Sequence, residues 1–423
     1  MKLFFVILSF FFFYSAAGNN FYVDPSSQAD AEKGTIDAPW KGFAALHAGM
    51  ASFRPGDTIF FKRNELYFEK LNIKCSGTQQ APIVFTAYGE GNSKPLFMFK
   101  PPLNDKIPVE QYCIRIYKSS FVRFEGLEIS DDHINPEDHS SIALIKIAFA
   151  IDESNAITIR KCDISRVGIG VNMVGNNNLV EQCKIFNLRM VRNTEDGYDD
   201  YGANGVVVAG NNNVISDCIF MDCWANSYDF EFDGGAIEMA GPQCSDNRII
   251  NNFAFNCNGF MEMGSTEGGI LGRNLVEGNT VFNCGDLLYI NNDGPYAVGV
   301  QQLELTNNRF IQTIPQLTRP KHMISMAKVA DGSNIIVMRG NIFWLPMKMD
   351  VAKQSLFLGS QMAHTGNIYY LEGGKLNFPI DPSERILDPT STFFKQSPDF
   401  APFYNNLRFF PFKYILKYWY LVI

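Results

Sequence analysis

One short phrase recurs from residue 157 onward: two or three aliphatic or β-branched residues, a turn former, then Asn or Cys. It stands as Ile157-Thr-Ile-Arg-Lys-Cys162, Asn178-Leu-Val-Glu-Gln-Cys183, Asn213-Val-Ile-Ser-Asp-Cys218, Arg248-Ile-Ile-Asn-Asn252, Asn274-Leu-Val-Glu-Gly-Asn279, Glu304-Leu-Thr-Asn-Asn308, Ile336-Val-Met-Arg-Gly-Asn341 and Met362-Ala-His-Thr-Gly-Asn367. Its closing residues are 21, 35, 34, 27, 29, 33 and 26 positions apart. A phrase returning at such intervals marks a solenoid, in which each unit buries its apolar face only against the next. The apolar residues alternate with period two rather than following a helical period, so each unit is a set of short strands. The pattern predicts an all-β chain, a parallel β-helix with coils of 21 residues or more. The longer intervals are loops inserted into the coil.

Stacked coils place equivalent residues about 4.8 Å apart. Identical polar side chains can then hydrogen-bond along a column, as Asn ladders do in stacked sheets. Cys162, Cys183, Cys218, Asn252, Asn279 and Asn308 fall in one column, and Cys223, Cys257 and Cys284 in a second. Both columns read as inner ladders at bends, with small buried thiols filling space. No two of the nine cysteines have Cys-x-x-Cys spacing, which argues against a zinc site. Parallel side-chain directions argue against disulfides between coils, although the Cα spacing would allow them.

The chain divides into four parts. Residues 1–18 have a charged start, an apolar run from Leu3 to Tyr14 and the small residues Ser15-Ala-Ala-Gly18, which describes a secretory signal peptide. Residues 19–100 form an opening unit with strands at Thr58–Phe61, Leu71–Lys74 and Pro82–Tyr88. Asp37-Ala-Pro39 is expected to start a short capping helix there, and His47 to pack beneath it. Residues 101–375 form the β-helix, and 376–423 a tail or cap. The aromatic stretch from Arg408 to Ile423 lacks coil punctuation and could cover the last coil. The expected product is an exported monomer without stable membrane insertion. Its net charge of -8 offers no basic field for nucleic acid.

The candidate site lies at 193–292. The triplets Val171-Asn-Met173, Val206-Val-Val208, Ile237-Glu-Met239, Met261-Glu-Met263 and Leu288-Tyr-Ile290 align, with apolar outer members facing inward. Their middle members, Asn172, Val207, Glu238, Glu262 and Tyr289, should face solvent in one column. Two acidic insertions precede this stretch and supply Asp196, Asp199, Asp200, Asp229, Glu231 and Asp233. Two carboxylates one strand apart repel unless a cation or a shared proton relieves them. Glu238, Glu262, Tyr289 and Asp233 are therefore the candidate catalytic groups. Glu238, Glu262, Asp233, Asp199, Asp200 and Glu231 are candidate oxygen ligands for Ca²⁺.

The openings Phe21-Tyr-Val-Asp-Pro25, Arg54-Pro-Gly-Asp57-Thr-Ile-Phe-Phe-Lys62 and Ala81-Pro-Ile83 with Ala87-Tyr-Gly89 resemble the start of secreted right-handed parallel β-helix proteins of the pectate-lyase-like superfamily. Asp233-Gly-Gly-Ala-Ile-Glu238, Gly259-Phe-Met-Glu-Met-Gly-Ser265 and Leu287-Leu-Tyr289 are similar to three successive elements of the alginate lyase and chondroitinase B family. That resemblance implies a right-handed helix and a calcium-binding role for Glu262. It also implies a Lys base and an Arg, where this chain has Ser265-Thr-Glu-Gly-Gly269 and Tyr289.

Three functions compete. A Ca²⁺-assisted lyase acting on an acidic polysaccharide ranks first, with Tyr289 as base or acid. A glycoside hydrolase using paired carboxylates ranks second. A non-catalytic carbohydrate-binding protein, with Tyr198, Tyr201, Trp224 and Tyr228 stacking on sugars, ranks third.

Overall fold

The structure, a computed structural model, describes residues 18–98, 112–131, 135, 137–264, 268–293, 298–312, 322–328, 335–345, 348–354 and 362–388. The proposed signal segment up to residue 17 and the aromatic tail from 401 lie outside the described residues.

Each coil contributes one short strand to each of three parallel sheets. Among the described residues, the first wall holds 12 strands, the second 10 and the third 12. One coil shows the scheme: Ile169–Val174 lies in the second wall, Leu179–Glu181 in the first and Lys184–Phe186 in the third. The chain then enters the next coil at Asn204–Ala209, parallel to Ile169–Val174. The architecture is the expected parallel β-helix. The third wall continues to Arg385–Leu387, which pairs with Ile368–Leu371.

Local geometry explains the recurring phrase. The residue before each ladder position has a left-handed backbone: Lys161, Gln182, Asp217, Asn251, Gly278, Asn307, Gly340 and Gly366 have φ between 52° and 67°. Gly and Asn tolerate that region best, which accounts for their frequency at this bend. The next side chain turns inward. Asn252, Asn279, Asn308, Asn341 and Asn367 are all essentially buried. Each Oδ1 accepts the backbone N–H of the preceding coil's ladder residue, from Cys218 N–H on Asn252 at 3.0 Å to Asn341 N–H on Asn367 at 2.8 Å. The Nδ2 groups donate along the column and to carbonyls such as Ile249 O and Val276 O.

A second ladder, which the repeat phrase had not made plain, runs through Asn178, Asn213, Asn247 and Asn274 at the bend between the second and first walls. Cys162, Cys183, Cys218, Cys223, Cys257 and Cys284 are buried, and all nine cysteines are free thiols. Between the ladders the bore is apolar. Phe61, Phe85 and Phe124 stack along it with ring centroids 6.4 and 5.0 Å apart, and Phe149 meets Phe124 edge to face at 5.5 Å.

The capping helix starts later than the sequence indicated. It covers Phe43–Gly49, is capped by Gly42 without a side-chain bond, and continues as one turn at Met50–Ser52. Asp37-Ala-Pro39 lies outside it, and Trp40 pairs with Val23. Burial of Phe43 and Leu46, with the Glu69 carboxylate accepting the Phe43 N–H at 2.9 Å, therefore decides where the helix begins. His47 is half-buried and accepts the Asn72 N–H at 3.0 Å.

Asn279→Ala strips acceptors from the Asn252 N–H and Nδ2 and removes a donor to Asn308 and Ile249. It should lower unfolding free energy by about 2–4 kcal/mol, the scale for orphaning buried polar groups. Urea denaturation followed by circular dichroism would measure the loss.

Candidate functional site

The second wall carries the predicted column. Asn172 pairs with Val207, Val207 with Glu238, Glu238 with Glu262, Glu262 with Tyr289, and Tyr289 with Ser325. The flanking residues Val206, Val208, Ile237, Met239, Met261, Met263, Leu288 and Ile290 are buried. Glu238, Glu262 and Tyr289 keep solvent-facing surface. Adjacent parallel strands thus hold two carboxylates about 4.8 Å apart at the backbone.

Asn204, at the start of the neighbouring strand, donates its Nδ2 to Glu238 Oε2 at 2.5 Å. Glu238 keeps an exposed edge, yet dense protein surrounds its carboxyl. The carboxyl's own surroundings govern its titration. Burial pushes its pKa up to about 7; Asp233 adds like-charge repulsion, and the Asn204 bond offsets part of the rise. Asp233 lies at the end of a small hairpin, Ala225–Ser227 with Glu231–Asp233, and accepts the Gly234 N–H at 2.7 Å. That hairpin runs directly into Gly235–Met239, the strand bearing Glu238.

The two acidic insertions join into one wall at the entry side of these strands. Asn193 Nδ2 donates to Asn226 O, and Tyr228 N–H donates to Asn193 Oδ1. Asp200 is the fastener. Its buried carboxylate accepts Thr194 N–H at 2.7 Å, Ser227 Oγ–H at 2.8 Å and Asp229 N–H at 3.1 Å. Burial pushes its pKa up, but these donors together outweigh burial and hold it below the usual carboxylate range. A third loop closes against the wall: His139 stacks on Trp224 with centroids 3.6 Å apart, and its carbonyl accepts the Asn226 N–H.

The six candidate metal ligands do not gather into one set. Among the described residues, the acids whose ligand atoms lie within 4.8 Å of one another are Asp199, Asp200 and Asp229. Asp229 was recognised as a loop acid but not assigned as a ligand. Asp199 also pairs with Arg192, and Asp229 Oδ2 accepts the Asp200 N–H at 3.0 Å. Glu238 and Asp233 form a separate group, and Glu262 adjoins it by register. Glu231 is exposed.

Two residues at the site escaped the sequence reading, Asn204 and Asp286. Asp286 folds over Gly259, with Oδ1 2.6 Å from where a Cβ would stand. In these strands two successive residues are buried, as in Gly205-Val206, Phe260-Met261 and Leu287-Leu288. That irregularity breaks strict alternation and turns Asn204 and Asp286 toward the outer face. The nearest sequence signal is a polar residue three places before two of the outward positions, Asn204 before Val207 and Asp286 before Tyr289.

Because Glu238's pKa rises on folding, the folded state binds more protons than the unfolded chain between the ordinary Glu range and about 7. Folding stability contributed at this residue therefore falls as pH rises through that window. Glu238→Gln removes the penalty and keeps an acceptor for Asn204. It should leave the protein about 1–2 kcal/mol more stable than wild type at pH 8 but near parity at pH 4, the upper value being discounted for partial exposure and coupling. Paired urea titrations at the two pH values test this.

Among the described residues, no helix is long and apolar enough to cross a membrane. The family described as "Right handed beta helix region" matches residues 147–355. No curated protein matches the chain. Among solved structures, a lacto-N-biosidase from Eubacterium ramulus aligns with TM-score 0.60 and 14% identity, over 88% of this chain and 68% of that one. An alginate lyase from Paenibacillus sp. str. FPU-7 aligns with TM-score 0.51 and 13% identity, over 77% of this chain and 96% of that one. At such identities the likeness concerns the fold. By fold, the chain is a right-handed parallel β-helix.

Proposed function

We propose that this protein hydrolyses glycosidic bonds, with Glu238 as general acid and Glu262 as its carboxylate partner. The observation that carries this reading is the direct pairing of Glu238 with Glu262 on an outward face, with Asn204 holding Glu238. The spacing of one strand suits the retaining class, whose carboxyls lie about 5–5.5 Å apart. The acid needs a proton near neutrality, and the raised pKa of Glu238 supplies it. Glu238 gives its proton to the glycosidic oxygen as the C–O bond breaks, and Glu262 forms a bond to the anomeric carbon. Water then displaces Glu262 and returns a proton to Glu238. Asp233 keeps Glu238's proton affinity high, and Tyr289 flanks Glu262. The charged start, apolar run and small residues of the first eighteen positions support export of the chain.

A Ca²⁺-assisted lyase, first in the sequence reading, is the second proposal. Its support is the grouping of Asp199, Asp200 and Asp229, where a hard cation would find oxygen ligands. The grouping leaves Glu238 and Glu262 outside, and the donors around Asp200 already satisfy its charge. For these reasons the hydrolase is preferred.

A panel of neutral glycans and polyuronides, each with Ca²⁺ or chelator, should yield plain reducing ends insensitive to chelation. Glu238→Gln and Glu262→Gln should each lower kcat by about 10²–10⁴-fold, the usual worth of a positioned acid–base group. The alkaline limb of the wild-type profile should lie near the pKa of Glu238, about 7. Ultraviolet-absorbing unsaturated ends that vanish with chelator would instead establish the lyase.

A further inference from the structure

The outward column of the second wall does not end at Val207. Followed toward the N-terminus, Asn172 pairs with Ala150, Ala150 with Arg115, and Arg115 with Asn72. Arg115 therefore stands on the same face as Glu238, four strand spacings away, roughly 19 Å. Between them lie only small uncharged side chains: Ala150, buried level with the sheet, Asn172 and Val207.

The Arg115 end has the opposite chemistry to the Glu238 end. Arg115 lies between two tyrosines, its guanidinium 5.4 Å from the Tyr112 ring and 5.1 Å from the Tyr117 ring. Lys70 stands over Tyr112 at 5.1 Å; Lys74 and Lys118 stand over Tyr117 at 5.5 and 5.0 Å. Among the described residues, Asp152 binds Arg115 Nε at 2.6 Å, and Glu153 lies 3.5 Å from Lys118. The Asp152 bond uses one of the five guanidinium donors and, with the rings, fixes the fork in place. At the other end, residues 193–247 contain no Lys, Arg or His. One face thus runs from a cationic, aromatic end to an acidic one.

We propose that the Arg115–Tyr112–Tyr117 cluster, with Lys70, Lys74 and Lys118, is a binding site for an anionic sugar substituent, a carboxylate or a sulfate. It holds the charged end of a glycan whose susceptible bond lies over Glu238 and Glu262. The tyrosine rings hold the cations in place, and the cations take the anion. The acidic end repels the same substituent, so the sign change along the face sets the direction in which the glycan lies. This orienting role rests on the hydrolase reading; binding of the anion does not. Added salt weakens the attraction, because Lys74 and Lys118 are exposed and the Debye length is about 8 Å at physiological ionic strength.

The test uses the full chain with fluorotyrosine in place of tyrosine, titrated separately with glucuronate, inorganic sulfate and glucose. Glucuronate and sulfate should shift the Tyr112 and Tyr117 resonances and leave Tyr289 unmoved. Glucose should do neither, and the shift should fade with salt and vanish in Lys74→Ala/Lys118→Ala. No shift, an equal shift with glucose, or a shift that survives the double variant overturns the site. A second arm follows cleavage of oligosaccharides with one terminal uronate. Wild type should cut at a fixed distance from the charged end, and the double variant at scattered positions with neutral substrates still turned over. Tyrosine shifts without any turnover would count against the hydrolase alone, whereas turnover with silent tyrosines would count against the anion site alone.

Discussion

The structure depends on vertical hydrogen bonding between coils. Within each wall, interior strands are held by the strand before and after them, and at the bends the Asn252–Asn279–Asn308–Asn341–Asn367 column repeats that pairing with side chains. A buried amide with all its partners supplied stabilises one register. The same amide shifted by one residue would be orphaned in an apolar bore. The ladders therefore do more than fill space: they forbid slippage, which in a sheet would exchange the inner and outer faces.

That constraint is what permits the site. Two carboxylates on neighbouring strands would separate if the backbone were free to move. Here Ile237, Met239, Met261 and Met263 anchor both strands from below, so Glu238 and Glu262 remain opposed. Burial of the Glu238 carboxyl, with repulsion from Asp233, raises its pKa and favours its protonated form, and Asn204 steadies the group. Asp200 resolves the same problem differently. It remains ionised because three donors from two loops converge on it, and in doing so it welds those loops together. One acid is tuned by lack of compensation and the other by abundance of it, although both lie in the same acidic stretch.

Several features were legible because they follow from period and residue type. The inward triplets around Glu238, Glu262 and Tyr289 identified the face, and the spacing of Cys218, Asn252 and Asn279 identified a ladder. Others were not. The start of the capping helix followed burial of Phe43 rather than the Asp37-Ala-Pro39 signal. Asn204 and Asp286 were invisible because a pair of consecutive buried residues breaks the alternation on which face assignment relies. The division of the acids between Asp199, Asp200 and Asp229 and the Glu238–Asp233 group has no sequence signal, because proximity along the chain does not fix which loop folds over which.

The sequence by itself determined the winding, the ladder columns and the sharing of one outer face by positions 238, 262 and 289, because stacking turns linear spacing directly into position. Only the tertiary structure decided which charges meet. The partition of the acids between Asp200's donors and Glu238's enclosure depends on hairpins and loops without a period. So does the convergence of Lys70, Lys74 and Lys118 on two tyrosine rings. Hydrogen bonds across loops obey no repeat and exist only once the coils have brought their ends together.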